Sequence, residues 1–139
     1  MYYVLQFISV NVNRPFANGG YTPEEHPLTA VERMLSGIAA IKQECPDMLM
    51  ISSALSYLGA FAPNVAAGYI EKGGFDFAGF GRQIFAYPDF AKDILEGGGL
   101  QKNKLCICCS KCTEIMRAGG TPGCVIRDPL YTKIYKEMF

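Results

Sequence analysis

Residues 74–83 read Gly-Phe-Asp-Phe-Ala-Gly-Phe-Gly-Arg-Gln, and the fold turns on this stretch. Phe75 to Phe80 is an aromatic-rich run that predicts a strand, closed by Gly81-Arg82. A strand ending in Gly-Arg suits a phosphate: glycine lets an anion approach the backbone, and the guanidinium offers paired donors. Upstream, Met48 to Ser53 predicts another strand, and Pro63 opens a helix that Gly73 and Gly74 close. Strand, helix and strand in that order predict a parallel βα arrangement.

The pattern extends in both directions. Tyr2 to Val10 (YYVLQFISV) predicts a strand buried on both faces, followed by a Pro- and Gly-punctuated loop from Asn11 to Pro27. Leu28, Val31, Leu35, Ile38 and Lys42 then step by three and four, widened by Met34, Ile41 and Cys45, which predicts an amphipathic helix. Thr22-x-x-Glu25 and Thr29-x-x-Glu32 both fit a capping box at its start. Pro88 to Glu96 predicts a further helix ended by Gly97 to Gly99. Asp128-Pro129 predicts a last one, with Leu130, Ile134 and Met138 on one face. Two parts are expected: residues 1–97 as a partial (β/α) unit, and residues 98–139 as a Cys-rich segment with a terminal helix.

Composition sets limits. The chain has 139 residues, half hydrophobic and only 19% charged, which fits a packed domain rather than a disordered one. Thirteen basic residues balance thirteen acidic ones, so no net charge draws the chain to nucleic acid or an anionic membrane. No apolar run reaches the roughly 18 residues of a membrane span. Met1 to Val12 lacks the basic start and cleavage site of a signal peptide. A cytoplasmic location is the expectation.

Five of the six cysteines fall between Cys106 and Cys124. Clustering without an export signal favours metal or redox chemistry over a disulfide framework. Cys106, Cys109, Cys112 and Cys124 are separated by two, two and eleven residues. Three closely spaced thiolates wrapping one corner, with a distant fourth as closure, suit a [4Fe–4S] cluster. Four-thiolate zinc is the rival, and free buried thiols are the plain alternative. Cys108 is one residue off the register, and Cys45 reads as helix-end packing.

Several segments together resemble one family: Asn13-Arg14-Pro15-Phe16, Phe61-Ala62-Pro63-Asn64, Gly79-Phe80-Gly81-Arg82-Gln83, Tyr87-Pro88-Asp89-Phe90 and the cysteine run. They look like the end of the catalytic barrel in old yellow enzyme relatives, nearest to the iron–sulfur NADH:flavin oxidoreductases and 2,4-dienoyl-CoA reductases. The resemblance runs from about Asn11 to Asp128. It implies an α/β partial TIM barrel, the last three βα units of a (β/α)8 barrel, followed by the Cys-rich segment and a C-terminal helix. A whole barrel takes about 200–250 residues or more, so the expectation is a C-terminal part that is not catalytic alone.

The resemblance implies an FMN phosphate held between the last two strands. Gly81 and Arg82 match one side, and Ser53 and Ala54 stand on the other, with alanine where the family places glycine. If the turn needs a left-handed backbone there, the Cβ carries a steric penalty, and FMN binding is expected to be weak or absent. The complete family enzyme uses NAD(P)H and a small unsaturated substrate; the partners expected here are a second copy or an upstream barrel half. Read alone, Gly81-Arg82 is equally a turn glycine beside a surface arginine. Arg14 reads either as a ligand to a substrate or nicotinamide phosphate or as one half of a loop-anchoring ion pair. His26, the single histidine, reads as a surface or capping residue before a general base.

Overall fold

The computed structural model describes residues 26–139. The expected Tyr2–Val10 strand, the Asn13–Phe16 loop with Arg14 and the Thr22/Glu25 capping box lie outside the described residues.

Helix α1 spans Pro27–Glu44. Proline supplies the fixed φ of a first turn, and the His26 imidazole caps it, its Nδ1 accepting from the Leu28 N–H at 3.2 Å. The cap is thus His26, not Thr29. Val31, Leu35 and Ile38 are buried as the stripe requires, with Ala30 beside them, while Leu28 stays about half exposed. Each of the larger side chains contributes roughly 1.5–3 kcal/mol on burial. At the C-terminal end Lys42 bridges to the sheet: its Nζ donates to the Pro46 and Met48 carbonyls, both at 2.7 Å, and pairs with Asp76 at 2.9 Å.

Strands β1 (Ile51–Ser52) and β2 (Phe77–Ala78) run parallel, Ile51 opposite Phe77 and Ser52 opposite Ala78. Both are shorter than their sequences predict, for local reasons. The Asp76 and Phe77 N–H groups both donate to the Met50 carbonyl at 3.0 Å, a bulge that turns Phe75 into the core and Phe77 outward. Asp76 also takes the Met50 N–H at 2.7 Å. Beyond Ser52, Ala54 adopts a left-handed φ of 69° and ends the extended run.

A 3-10 segment, Leu55–Phe61, leads into α2 (Ala62–Glu71), which returns the chain over α1 to β2. The core is Ala30, Val31, Leu35, Ile38, Met50, Leu55, Ala62, Ala66 and Phe75, with Tyr69 stacked on Phe75 at 5.5 Å. A short helix, α3 (Gln83–Ala86), precedes α4 (Phe90–Leu95), which forms within the helix predicted over Pro88–Glu96. No barrel forms among the described residues, whose sheet has two strands.

The Cys-rich segment is more ordered than expected. Helix α5 (Lys111–Arg117) follows the cysteine loop, and α6 (Pro129–Met138) starts at Asp128, whose carboxylate accepts from the Leu130 N–H at 2.9 Å. The face α6 turns inward holds Tyr131, Ile134 and Tyr135, and Leu130 is exposed. Tyr135 donates to Glu114 of α5, and Lys111 lies over its ring. Ile115 and Val125 are buried between these helices. Among the described residues no helix is long and apolar enough to cross a membrane.

Candidate metal centre

Parallel pairing brings the two strand ends side by side, so the Ser53-Ala54 turn and the Gly79–Arg82 turn are neighbours. Gly79 is required there: its N–H donates to the Ser52 carbonyl at 2.8 Å, and a Cβ would run into that same oxygen. A Cβ on Gly81 would meet nothing within 4 Å, so the backbone at Gly81 is approachable.

Arg82 goes elsewhere. Its Nη1 donates to the Ser110 hydroxyl at 2.7 Å, inside the cysteine loop, and its side chain lines the cysteine recess. The residue expected at a flavin phosphate is therefore engaged with the metal-type segment. Ser53, Ala54 and Gly81 stand at the neighbouring strand ends, while the Arg82 guanidinium is turned toward Ser110.

The recess is built from both halves of the chain. Cys106, Cys109, Cys112 and Cys124 all line it, together with Arg82 and Arg127. Its volume is about 20 Å³, and Phe85, Leu105, Ile107 and Val125 complete the wall. Cys108 is absent from the lining and buried, as befits the residue outside the register. Backbone geometry explains the separation. Cys108 and Ser110 carry φ of 55° and 64°, so the loop coils tightly around Cys108. Three further contacts hold the loop. Cys106 N–H donates to Gln83 Oε1 at 3.0 Å, and the Arg127 Nε and Nη2 donate to the Leu105 carbonyl at 3.3 and 3.0 Å.

Charge follows from these contacts. The Cys108 thiol donates to the Cys106 sulfur, and, against the cost of burial, the Cys108 N–H and the Arg82 and Arg127 guanidiniums add to it. Together they bring the Cys106 thiol down to about 6. Cys108 is pushed up by giving its proton to that bond and by burial. Burial also pushes Cys112 up. The recess therefore already favours a thiolate at Cys106.

Among the described residues, no three His, Cys, Asp or Glu side chains close tightly enough to hold a metal ion. A single zinc at Zn–S of about 2.3 Å needs sulfurs about 3.8 Å apart, whereas a cubane spreads its four thiolates over separate corners. Four thiols beside two guanidiniums suit bound negative charge, but at about 20 Å³ the recess has room for about one water and would have to open before it admitted a four-iron cluster. Gln83, Ser110 and Arg127 were not singled out from the sequence. Their signals were modest: Gln83 follows the Gly-Phe-Gly-Arg motif, Ser110 sits inside the cysteine run, and Arg127 lies three residues past Cys124. Comparison with protein-family models, with curated proteins and with solved structures finds no match to this chain.

Proposed function

We propose that this chain is the cluster-bearing C-terminal part of an NAD(P)H-dependent FMN/iron–sulfur oxidoreductase, with Cys106, Cys109, Cys112 and Cys124 as ligands of a [4Fe–4S] centre. A cytoplasmic location and dependence on another chain for turnover belong to the same reading. The observation that carries it is the convergence of these four cysteines on one recess, across a gap of eleven residues before Cys124. When bound, the cluster supplies one-electron redox chemistry. The chain's own residues do the rest. Arg82 and Arg127 offset the thiolate charge. Gln83 and Arg127 fix the loop backbone at Cys106 and Leu105. Val125 is buried and supplies part of the recess wall.

Anaerobic reconstitution with iron and sulfide is expected to load about four iron per chain with broad brown absorbance. Cys124→Ala is expected to lose most of that iron, and Cys108→Ala to retain it. Stoichiometric zinc with no iron uptake would overturn the reading.

A further inference from the structure

Cys106 and Cys108 form a pair that the metal reading leaves aside, since Cys108 is not among its ligands. One residue, Ile107, separates them. With φ of 55° at Cys108, the backbone curls so that the Cys108 N–H donates to the Cys106 sulfur at 3.4 Å. The Cys108 thiol donates to the same sulfur. The two sulfurs are therefore already in contact, and closing them to the roughly 2.05 Å of a disulfide needs a local adjustment of this loop alone.

The two thiols differ in access. Cys106 is half-buried and lines the recess, whereas Cys108 is 8% exposed and absent from the lining. A thiol reached from solvent and backed by a shielded second thiol is the arrangement of a nucleophile and its resolving partner. Gln83 anchors the attacking residue, its Oε1 accepting from the Cys106 N–H at 3.0 Å. A recess of about 20 Å³ has room for about one water. It cannot enclose a molecule, so a reagent must react at its rim through a single extended atom.

We propose that Cys106 and Cys108 are a thiol–disulfide exchange couple, with Cys106 as nucleophile, Cys108 as resolving thiol and small flexible disulfides as the oxidant. This activity goes beyond the cluster reading and belongs to the metal-free chain. In the first step the Cys106 thiolate attacks one sulfur of the reagent. A Cys106–sulfur bond forms, the reagent's S–S bond breaks, and one half leaves as a thiolate. In the second step the Cys108 thiol gives up its proton and its sulfur attacks that of Cys106, expelling the other half. The two cysteines are oxidised, the reagent is reduced to two thiols, and the two cysteine protons end on them. A bridge across one residue is strained and exchanges readily, so excess dithiol reopens it.

The test mixes the full chain, reduced and metal-free, with glutathione disulfide, then quenches with acid, alkylates and digests with trypsin. Cleavage after Lys104, Lys111, Arg117 and Arg127 leaves Cys106, Cys108 and Cys109 on one peptide, with Cys112 and Cys124 on two others. Mass spectrometry is expected to find a disulfide within residues 105–111 and an alkylated Cys109. Cys108→Ser is expected to stop at a glutathione adduct on Cys106 and to close any bridge at least about tenfold more slowly. Cys106→Ser is expected to lose the fast release of glutathione. Cys45→Ser, at the end of α1, should react as the unaltered chain does. Should Cys108→Ser unfold by circular dichroism, the peptide map of the unaltered chain decides. A bridge that takes in Cys109, Cys112 or Cys124, undiminished closure without Cys108, or equal adducts on Cys45 and Cys106 would overturn the proposal. Iron uptake is not read in this experiment, so the exchange and the cluster stand or fall separately.

Discussion

Ala54 holds a left-handed backbone, φ 69° and ψ 0°, without the side-chain freedom that position favours. A residue with a Cβ pays about 1–2 kcal/mol there, and glycine's looser unfolded chain returns about 0.4–1 kcal/mol. Ala54→Gly is therefore expected to raise stability by about 0.5–1 kcal/mol, seen as a higher urea midpoint with unchanged slope. Cys106 gives a pH-dependent counterpart. Its thiol is lowered from 9.0 to about 6, so the unfolded chain binds more protons between those values. Its contribution to the metal-free protein is full above 9, shrinks as pH falls, and is gone below about 6. Iodoacetamide labelling of Cys106 is expected to have its midpoint near pH 6, and Arg82→Gln to move that midpoint upward. A midpoint near 9 in both proteins would show that Cys108 and the guanidiniums do not act as described.

At the scale of elements, the close approach of Gly79 to β1 is the tightest constraint on the strand pair. Gly79→Ala forces the new methyl against the Ser52 carbonyl and is expected to cost about 1–3 kcal/mol, measured by urea unfolding. Gly81→Ala, in open space, is the control and should be near neutral. The same elements show what a linear reading can and cannot see. The stripe of α1 was legible because burial on one face imposes its period on the residues themselves, and the Pro63 and Asp128-Pro129 starts were legible because proline's fixed φ and the Asp128 cap are local. The bulge at Asp76 was not, since it depends on a carboxylate meeting Met50 and Lys42 from elsewhere in the chain. On α6 the expected Ile134 turns inward and Met138 lies near Gly120, but Leu130 is exposed, and Tyr131 against Gly123 and Tyr135 at Glu114 are contacts that aliphatic spacing does not encode. At the site, spacing separated Cys108 from the other four cysteines, whereas the turn of Arg82 toward Ser110 is a tertiary contact with no local signature.

At the scale of the molecule, the sheet leaves one face open among the described residues. Ile51 and Phe77 stand opposite each other across the strand pair and are 49% and 52% exposed, with Leu49 on the same side at 46%. The other face carries the helices and the core. Neighbouring apolar groups at this level of exposure favour association, and among the described residues the two-stranded parallel ladder has no further strand on either edge. The chain is therefore expected to be a dimer or larger at low micromolar concentration, with this face at the contact. Light scattering measures the mass, and Phe77→Lys combined with Ile51→Lys is expected to shift it to the monomer without loss of helical signal. The cysteine recess does not include either residue, so iron uptake should survive the change, which separates assembly from metal binding. A wild-type chain that is monomeric and equally stable with both lysines would refute association through this face, and with it the expectation that the sheet is completed by a second chain.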